Sequence, residues 1–256
     1  NQFKTNPNMK SIVANSFIVC AAGIFITIPL NLLFSYYIYK KFFGSKLFQT
    51  ILFLPTIISE VVMVFIFKTL ASQVFTTIFG WKNLLDSANG QVFTTLLVFS
   101  TIIGLGSSCL VYSNAMSGIP KSLMEAAELD GCSPFKQFLH VVVPQIWPTI
   151  VSYVTLAFVG LTTNQLGFYS FYGNSMSSIN NKYWTMAAWS YYQLMKEGAT
   201  QANYPYASAI GLILTLFVAP VAMVLNHLLN KYGPSERELW HALLMVEDIK
   251  PRYLVS

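Results

Sequence analysis

SLMEAAELDGCSPFKQFLHVVVPQIWP, Ser122–Pro148, is a hydrophilic, charge-bearing stretch set between two strongly apolar runs. Its local chemistry reads as two short helices with a sharp bend. Pro120 suits a first helical turn, and Ser122 can cap backbone donors there. Leu123 to Leu129 are good helix formers. Leu123, Ala126, Ala127 and Asp130 recur at helical spacing and keep one side small. Gly131 can adopt the left-handed conformation that closes a helix. Ser133-Pro134 then restarts one, as a cap followed by proline at the first position. Phe135, Phe138 and Leu139 supply an apolar face, and Pro144 is expected to stop the second helix. A small-sided helix that exposes Glu125 and Glu128 is suited to dock in a groove on another protein.

The surroundings of this insert decide the fold class. The chain has 256 residues, 54% of them hydrophobic and only 10% charged. A soluble domain carries about 25% charged residues, so this chain lacks the charge to cover a soluble surface. Five runs reach membrane-spanning length: Ser11 to Tyr39, Leu47 to Phe67, Gln91 to Tyr112, Gln145 to Phe168 and Tyr206 to Leu229. Crossing an apolar core of about 30 Å takes about 20 residues of helix. None of the runs alternates as a barrel strand does, and lipid leaves helices as the other way to satisfy the backbone. The expected fold is all-α, a polytopic membrane helical bundle of about five spans. Residues 1–230 form its membrane domain, with the polar insert at 118–144, and 231–256 form a tail. Cys20, Cys109 and Cys132 are too scattered for a disulfide framework or a metal site.

Lysine and arginine orient the bundle. Lys40, Lys41, Lys46, Lys121, Lys136, Lys231, Arg237, Lys250 and Arg252 lie on the side of the insert, against Lys4, Lys10, Lys68, Lys82, Lys182 and Lys196 on the other. The positive-inside rule puts insert and C-terminus in the cytoplasm. No basic stripe suggests nucleic acid. On the outer side, Tyr183, Trp184, Trp189, Tyr191 and Tyr192 fit an interfacial helix, either a membrane anchor or a docking surface.

Glu125-Ala126-Ala127, then Asp130-Gly131, then a proline after an apolar run, resembles the EAA signature of ABC importer permeases, the membrane subunits of binding-protein-dependent uptake systems. Asn15-Ser16, Phe53-Leu54-Pro55 and Tyr206-Ala207-Ser208-Ala209 look like the carbohydrate-uptake class, with the maltose-transporter permeases as named relatives. One departure stands out: Ser170-Phe171-Tyr172-Gly173-Asn174 replaces the family's Gly-Gly-Pro stretch, which bears on the outer loop and the solute. The resemblance implies the type I ABC importer transmembrane fold, with a sixth helix expected before Asn1. It makes the insert a coupling helix that seats in an ATP-hydrolysing subunit through Glu125, Ala126, Ala127, Glu128, Asp130, Gly131 and Pro144. It implies a second permease subunit, two ATP-binding cassette subunits that hold ATP and magnesium, an extracytoplasmic solute-binding protein, and a bacterial inner-membrane location.

Polar residues inside spans face a cavity or a partner. Ser107 and Ser108 belong to a small-residue run with Ser100 and Gly104, which equally permits close helix packing. Thr162, Thr163, Asn164 and Gln165 end the fourth run and supply the donors and acceptors a sugar needs; hydrogen bonding to a partner helix is the other reading. By resemblance, the spans flanking the insert line the substrate path. Glu60 is the one acid within a run: a cation or proton site, a counter-charge, or an interfacial residue. His227 reads as interfacial. The chain has no P-loop, zinc spacing or nucleophile elbow, so catalysis and cofactors belong to a partner chain. The expected function is the permease subunit of an ATP-driven importer, moving a sugar or oligosaccharide by alternating access. The rivals are a permease for a non-sugar solute, although the absence of Arg and Lys within the spans argues against anions, and a membrane sensor that docks a signalling protein.

Overall fold

The computed structural model describes residues 7–80, 83–129, 131–195 and 203–234, and these form helices without strands. Helix α1 is Met9–Tyr39, α2 Ser45–Ile57, α3 Glu60–Ile78, α4 Val92–Ser117, α5 Lys121–Leu129, α6 Pro134–Gln145, α7 Trp147–Thr163, α8 Phe168–Tyr172, α9 Met186–Met195 and α10 Asn203–Tyr232. Among the described residues four helical stretches are long and apolar enough to cross a membrane, within α1, α3, α4 and α10. The pair α6 and α7, bent by 76°, makes a fifth if counted as one span.

The spans depart from the expected runs in informative ways. Helix α1 passes Pro29 without a break; a π-turn at Gly23–Thr27 takes up the disturbance just before it. π-Turns absorb an extra residue without ending a helix. The run Leu47–Phe67 is not one helix. Ile58 and Ser59 are extended, with ψ 140° and 144°, and they separate α2 from α3. Pro55 has already removed a hydrogen bond from the end of α2. Glu60 then opens α3 and matches its exposed amides and positive dipole end. The fourth run stays helical only to Thr163, five residues short of its expected end, because Leu166 and Gly167 are left-handed at φ +54° and +72°. Helix α10 runs through Tyr232, so the expected tail boundary at 231 falls within its last turn, and the tail beyond 234 lies outside the described residues.

Two apolar clusters hold the bundle, one at each end. The insert-end cluster joins Ile28, Leu32 and Tyr36 of α1 to Tyr112 and Met116 of α4, Met124 of α5, and Phe138 and Val142 of α6. The loop-end cluster joins Ile12 and Val19 of α1 to Leu96 and Phe99 of α4, and to Leu166, Phe168, Phe171, Trp184 and Trp189 of the connection between α7 and α10. Helix α1 therefore contributes to both. Beside the insert-end cluster, Ser35 donates to the Cys109 carbonyl at 2.9 Å and fastens α1 to α4. Helix α2 crosses α4 at Gly106, where an added Cβ would collide with the Leu52 carbonyl oxygen and lie 2.7 Å from Thr56 Cγ2.

The aromatic loop is not the exposed interfacial helix that its composition suggests. Trp184 and Trp189 are each 4% exposed and sit inside the loop-end cluster. Asn15 Nδ2 donates to the carbonyls of Lys182 and Trp184 at 2.8 and 3.0 Å, and Ser16 accepts from the Met186 amide at 2.8 Å. Thr185 donates to the Asn164 carbonyl at 2.9 Å. These bonds satisfy loop backbone that would otherwise be orphaned beside an apolar core, and they draw the indoles inward.

Candidate functional site

Two regions carry chemistry: the insert and a cavity near the break between α2 and α3. Helix α5 starts at Lys121, one residue before the expected Ser122 cap. It ends in a double hydrogen bond. The Cys132 amide donates to the Ala127 carbonyl and the Gly131 amide to the Glu128 carbonyl, both at 3.0 Å. That pairing is a Schellman closure, and Gly131 takes the left-handed conformation it needs, at φ +73°. Asp130 lies outside the described residues. Ser133 accepts from the Lys136 amide and caps α6, as expected. Pro144 does not end that helix. It lies in the last turn of α6, and the break comes at Ile146.

The two faces of α5 differ. Met124 is buried in the insert-end cluster, and Ala127 is buried on the same helix. Glu125 and Glu128 are exposed, Ala126 is half-buried, and Leu129 is 86% exposed. Ala127 is thus small because it packs within its own chain, and Leu129 adds an exposed apolar side chain that sequence reasoning passed over. Two contacts brace the insert against α1. Lys40 Nζ pairs with Glu128 at 2.8 Å, and the Tyr36 hydroxyl donates to the Pro134 carbonyl at 2.9 Å. At the start of α7, Trp147 Nε1 donates to the Leu229 carbonyl of α10 at 3.1 Å.

The cavity has a volume of about 420 Å³ and is lined by Pro55, Thr56 and Ile58 beside the break, Glu60 and Met63 of α3, Phe99, Ser100, Ile103 and Ser107 of α4, and Leu166 and Gly167. That volume falls in the range of small-molecule sites, about 300–1,000 Å³. Glu60 Oε1 accepts from Ser170 of α8 at 2.6 Å. Eight positions along α3, Lys68 donates to the Phe171 carbonyl at 3.4 Å. The predicted substrate-path residues separate here. Ser107 lines the cavity. Ser108, Thr162, Thr163, Asn164 and Gln165 are not among its lining residues. Thr162 and Thr163 donate back to the Val159 carbonyl at 3.1 and 3.4 Å, a habit of hydroxyls in helices. Asn164 Oδ1 accepts from the Leu166 amide at 2.8 Å and shapes the turn. The polar run therefore builds the bend that presents Leu166 and Gly167 to the cavity.

A second, more open cavity of about 730 Å³ lies on the loop end, among Asn8, Ser87, Asn180, Trp184 and Tyr192. Beside it, burial and then the Asp86 charge push the Tyr172 phenol up to about 12. Its hydroxyl stays protonated and donates to the Leu85 carbonyl at 2.9 Å.

Membrane-length helices beside a largely apolar cavity that carries one carboxylate and three hydroxyls, with a hydrophilic two-helix insert braced at one end, fit a polytopic membrane permease. Comparison places it further. The chain belongs to the binding-protein-dependent transport system inner membrane component family, whose profile spans residues 23–235. It is 24% identical over 229 residues to an arabinooligosaccharide transport permease of Bacillus subtilis (strain 168), covering 86% of this chain and 71% of the relative. It is 24% identical over 244 residues to a polygalacturonan/rhamnogalacturonan transport permease of the same organism, covering 90% of this chain and 72% of the relative. A chain of a bacterial ABC transporter for alginate import superposes with a TM-score of 0.73 at 18% identity, over 90% of this chain and 82% of that one. The fold is that of a type I ABC importer permease.

Proposed function

We propose that this chain is one permease subunit of an ATP-driven importer that takes a sugar or oligosaccharide into a bacterial cell, with the insert and C-terminus cytoplasmic. The observation that carries the proposal is the division of α5 into two faces. Met124 roots the helix in the insert-end cluster and Ala127 is buried with it, whereas Glu125 and Leu129 are exposed and Ala126 is half-buried. A short rigid helix with one rooted face and one offered face is a docking element. The offered face seats in an ATPase subunit, where Glu125 meets a basic group and Leu129 enters an apolar recess. ATP and magnesium are held by that subunit. Family membership and the sugar-transport relatives support the assignment.

Movement then has a path. Nucleotide-driven closure of the ATPase pair shifts α5, and the Tyr36–Pro134 and Lys40–Glu128 contacts pass the shift to α1. Helix α1 continues for 31 residues to the loop end, where Asn15 and Ser16 grip the loop on which a solute-binding protein would dock. A packed two-ended element of this kind can bias both ends of a transport cycle. The solute crosses between this chain and a second permease, and Ser107 and Glu60 lie on this chain's share of the route. The test is co-purification of the ATPase from solubilised membranes, with ATP-dependent uptake of a labelled arabinose trisaccharide, for the parent and Gly131→Val. The parent should retain both and the variant should lose both while still inserting. Normal uptake by the variant would overturn the assignment of α5.

A further inference from the structure

We infer that Glu60 makes the cavity selective for uncharged oligosaccharides over acidic ones. The inference rests on the reading of the chain as a sugar importer and narrows its solute. Among the described residues that line the cavity, Glu60 is the one with a charge; no Lys, Arg or His is present. The other polar lining groups are the hydroxyls of Thr56, Ser100 and Ser107. Hydroxyls both donate and accept, which suits sugar hydroxyls. A carboxylate only accepts, so it can bind a sugar hydroxyl but repels a uronate.

Two features fix the carboxylate in place. Ser170 donates to Oε1 at 2.6 Å. Glu60 also begins α3, where the free amides and the dipole would otherwise favour a bound anion. The chain's own carboxylate fills that role. A solute carboxylate entering the cavity would thus meet a like charge with no compensating cation. Lys68 does not relieve this repulsion, because its ammonium is turned to the Phe171 carbonyl and it is not among the lining residues. At cavity distances and an effective protein dielectric, such a pair disfavours the anion by about tenfold or more. Relatives of this chain include permeases named for a neutral pentose oligosaccharide and for an acidic galacturonan, so the distinction is a meaningful one for this fold.

The test reads the cavity directly and does not depend on the solute-binding protein. Ser107→Cys is introduced into the complete transporter in membranes, and its maleimide labelling rate is followed, with the parent transporter as background for Cys132. A neutral arabinose trisaccharide should slow labelling, and a galacturonic acid trisaccharide at the same concentration should be about tenfold less effective. Adding Glu60→Gln should let both protect, and Glu60→Lys should reverse the preference. Equal protection by the two sugars in the Ser107→Cys transporter would overturn the inference, as would a preference that survives Glu60→Gln. If neither sugar protects, with Glu60 or with Gln in its place, the sugar-importer reading itself fails and takes this inference with it.

Discussion

The two ends of the bundle are built on different principles. At the loop end, side chains bind backbone: Asn15 holds two carbonyls, Ser16 an amide and Thr185 another carbonyl, and two tryptophans are buried behind them. At the insert end the apolar cluster is smaller, α5 is held through one face and one partly exposed ion pair, and a tyrosine hydrogen bond reaches the start of α6. Backbone stitching makes a stiff cap. Bracing through one face leaves the other face available. The contrast teaches that the loop end is held by backbone bonds within this chain, whereas the insert end keeps one face of α5 exposed.

Substitutions can break or sharpen this contrast. The largest effect is expected for Gly131→Val. A β-branched residue at φ +73° costs about 1–3 kcal/mol in strain and spoils the closure of α5. Uptake should fall by more than about tenfold, with little change in the thermal unfolding of the membrane domain. Gly106→Val lies between the ends and should act in the opposite way. Its side chain meets α2 backbone, and overpacking of that kind costs about 1–3 kcal/mol or more. The unfolding midpoint in detergent should drop, and the cavity beside Thr56 should change shape. Asn15→Ala removes two hydrogen bonds at the loop end and should cost about 1–3 kcal/mol. Limited proteolysis should then cut more readily between α8 and α9, with the ATPase still bound. The smallest effect is expected for Glu128→Gln. Its carboxylate is 57% exposed, so the pair with Lys40 is worth at most about 1 kcal/mol. A loss of uptake far larger than the loss of stability would show that Glu128 also contacts the partner.

What was legible in the sequence follows the range of the interactions. The insert was readable because its signals are local: Gly131 closes one helix and Ser133-Pro134 opens the next within a few residues. The apolar runs gave the helical membrane fold for the same reason. The break at Ile58–Ser59 was less visible, although Pro55 followed by Ser59-Glu60 is a stop followed by a helix start that sequence reasoning did not use. Asn15 and Ser16 drew notice as family marks, but their partners lie 167 to 170 positions away, beyond any local pattern. The burial of Trp184 and Trp189 depends on those same distant bonds. The polar run Thr162 to Gln165 was read by composition as a lining. Its hydrogen bonds go to its own helix end and turn, and the lining falls to Leu166 and Gly167, whose left-handed conformation composition does not reveal.

The two-faced nature of α5 is the central claim, and cross-linking from single positions tests it most directly. A photoreactive benzophenone side chain is placed in turn at Glu125, Leu129 and Met124 in membranes that retain the whole transporter. The account predicts an adduct with the ATPase subunit from Glu125 and Leu129, and none from Met124, which faces the insert-end cluster. No adduct from Glu125 or Leu129 in membranes still competent for uptake would contradict it.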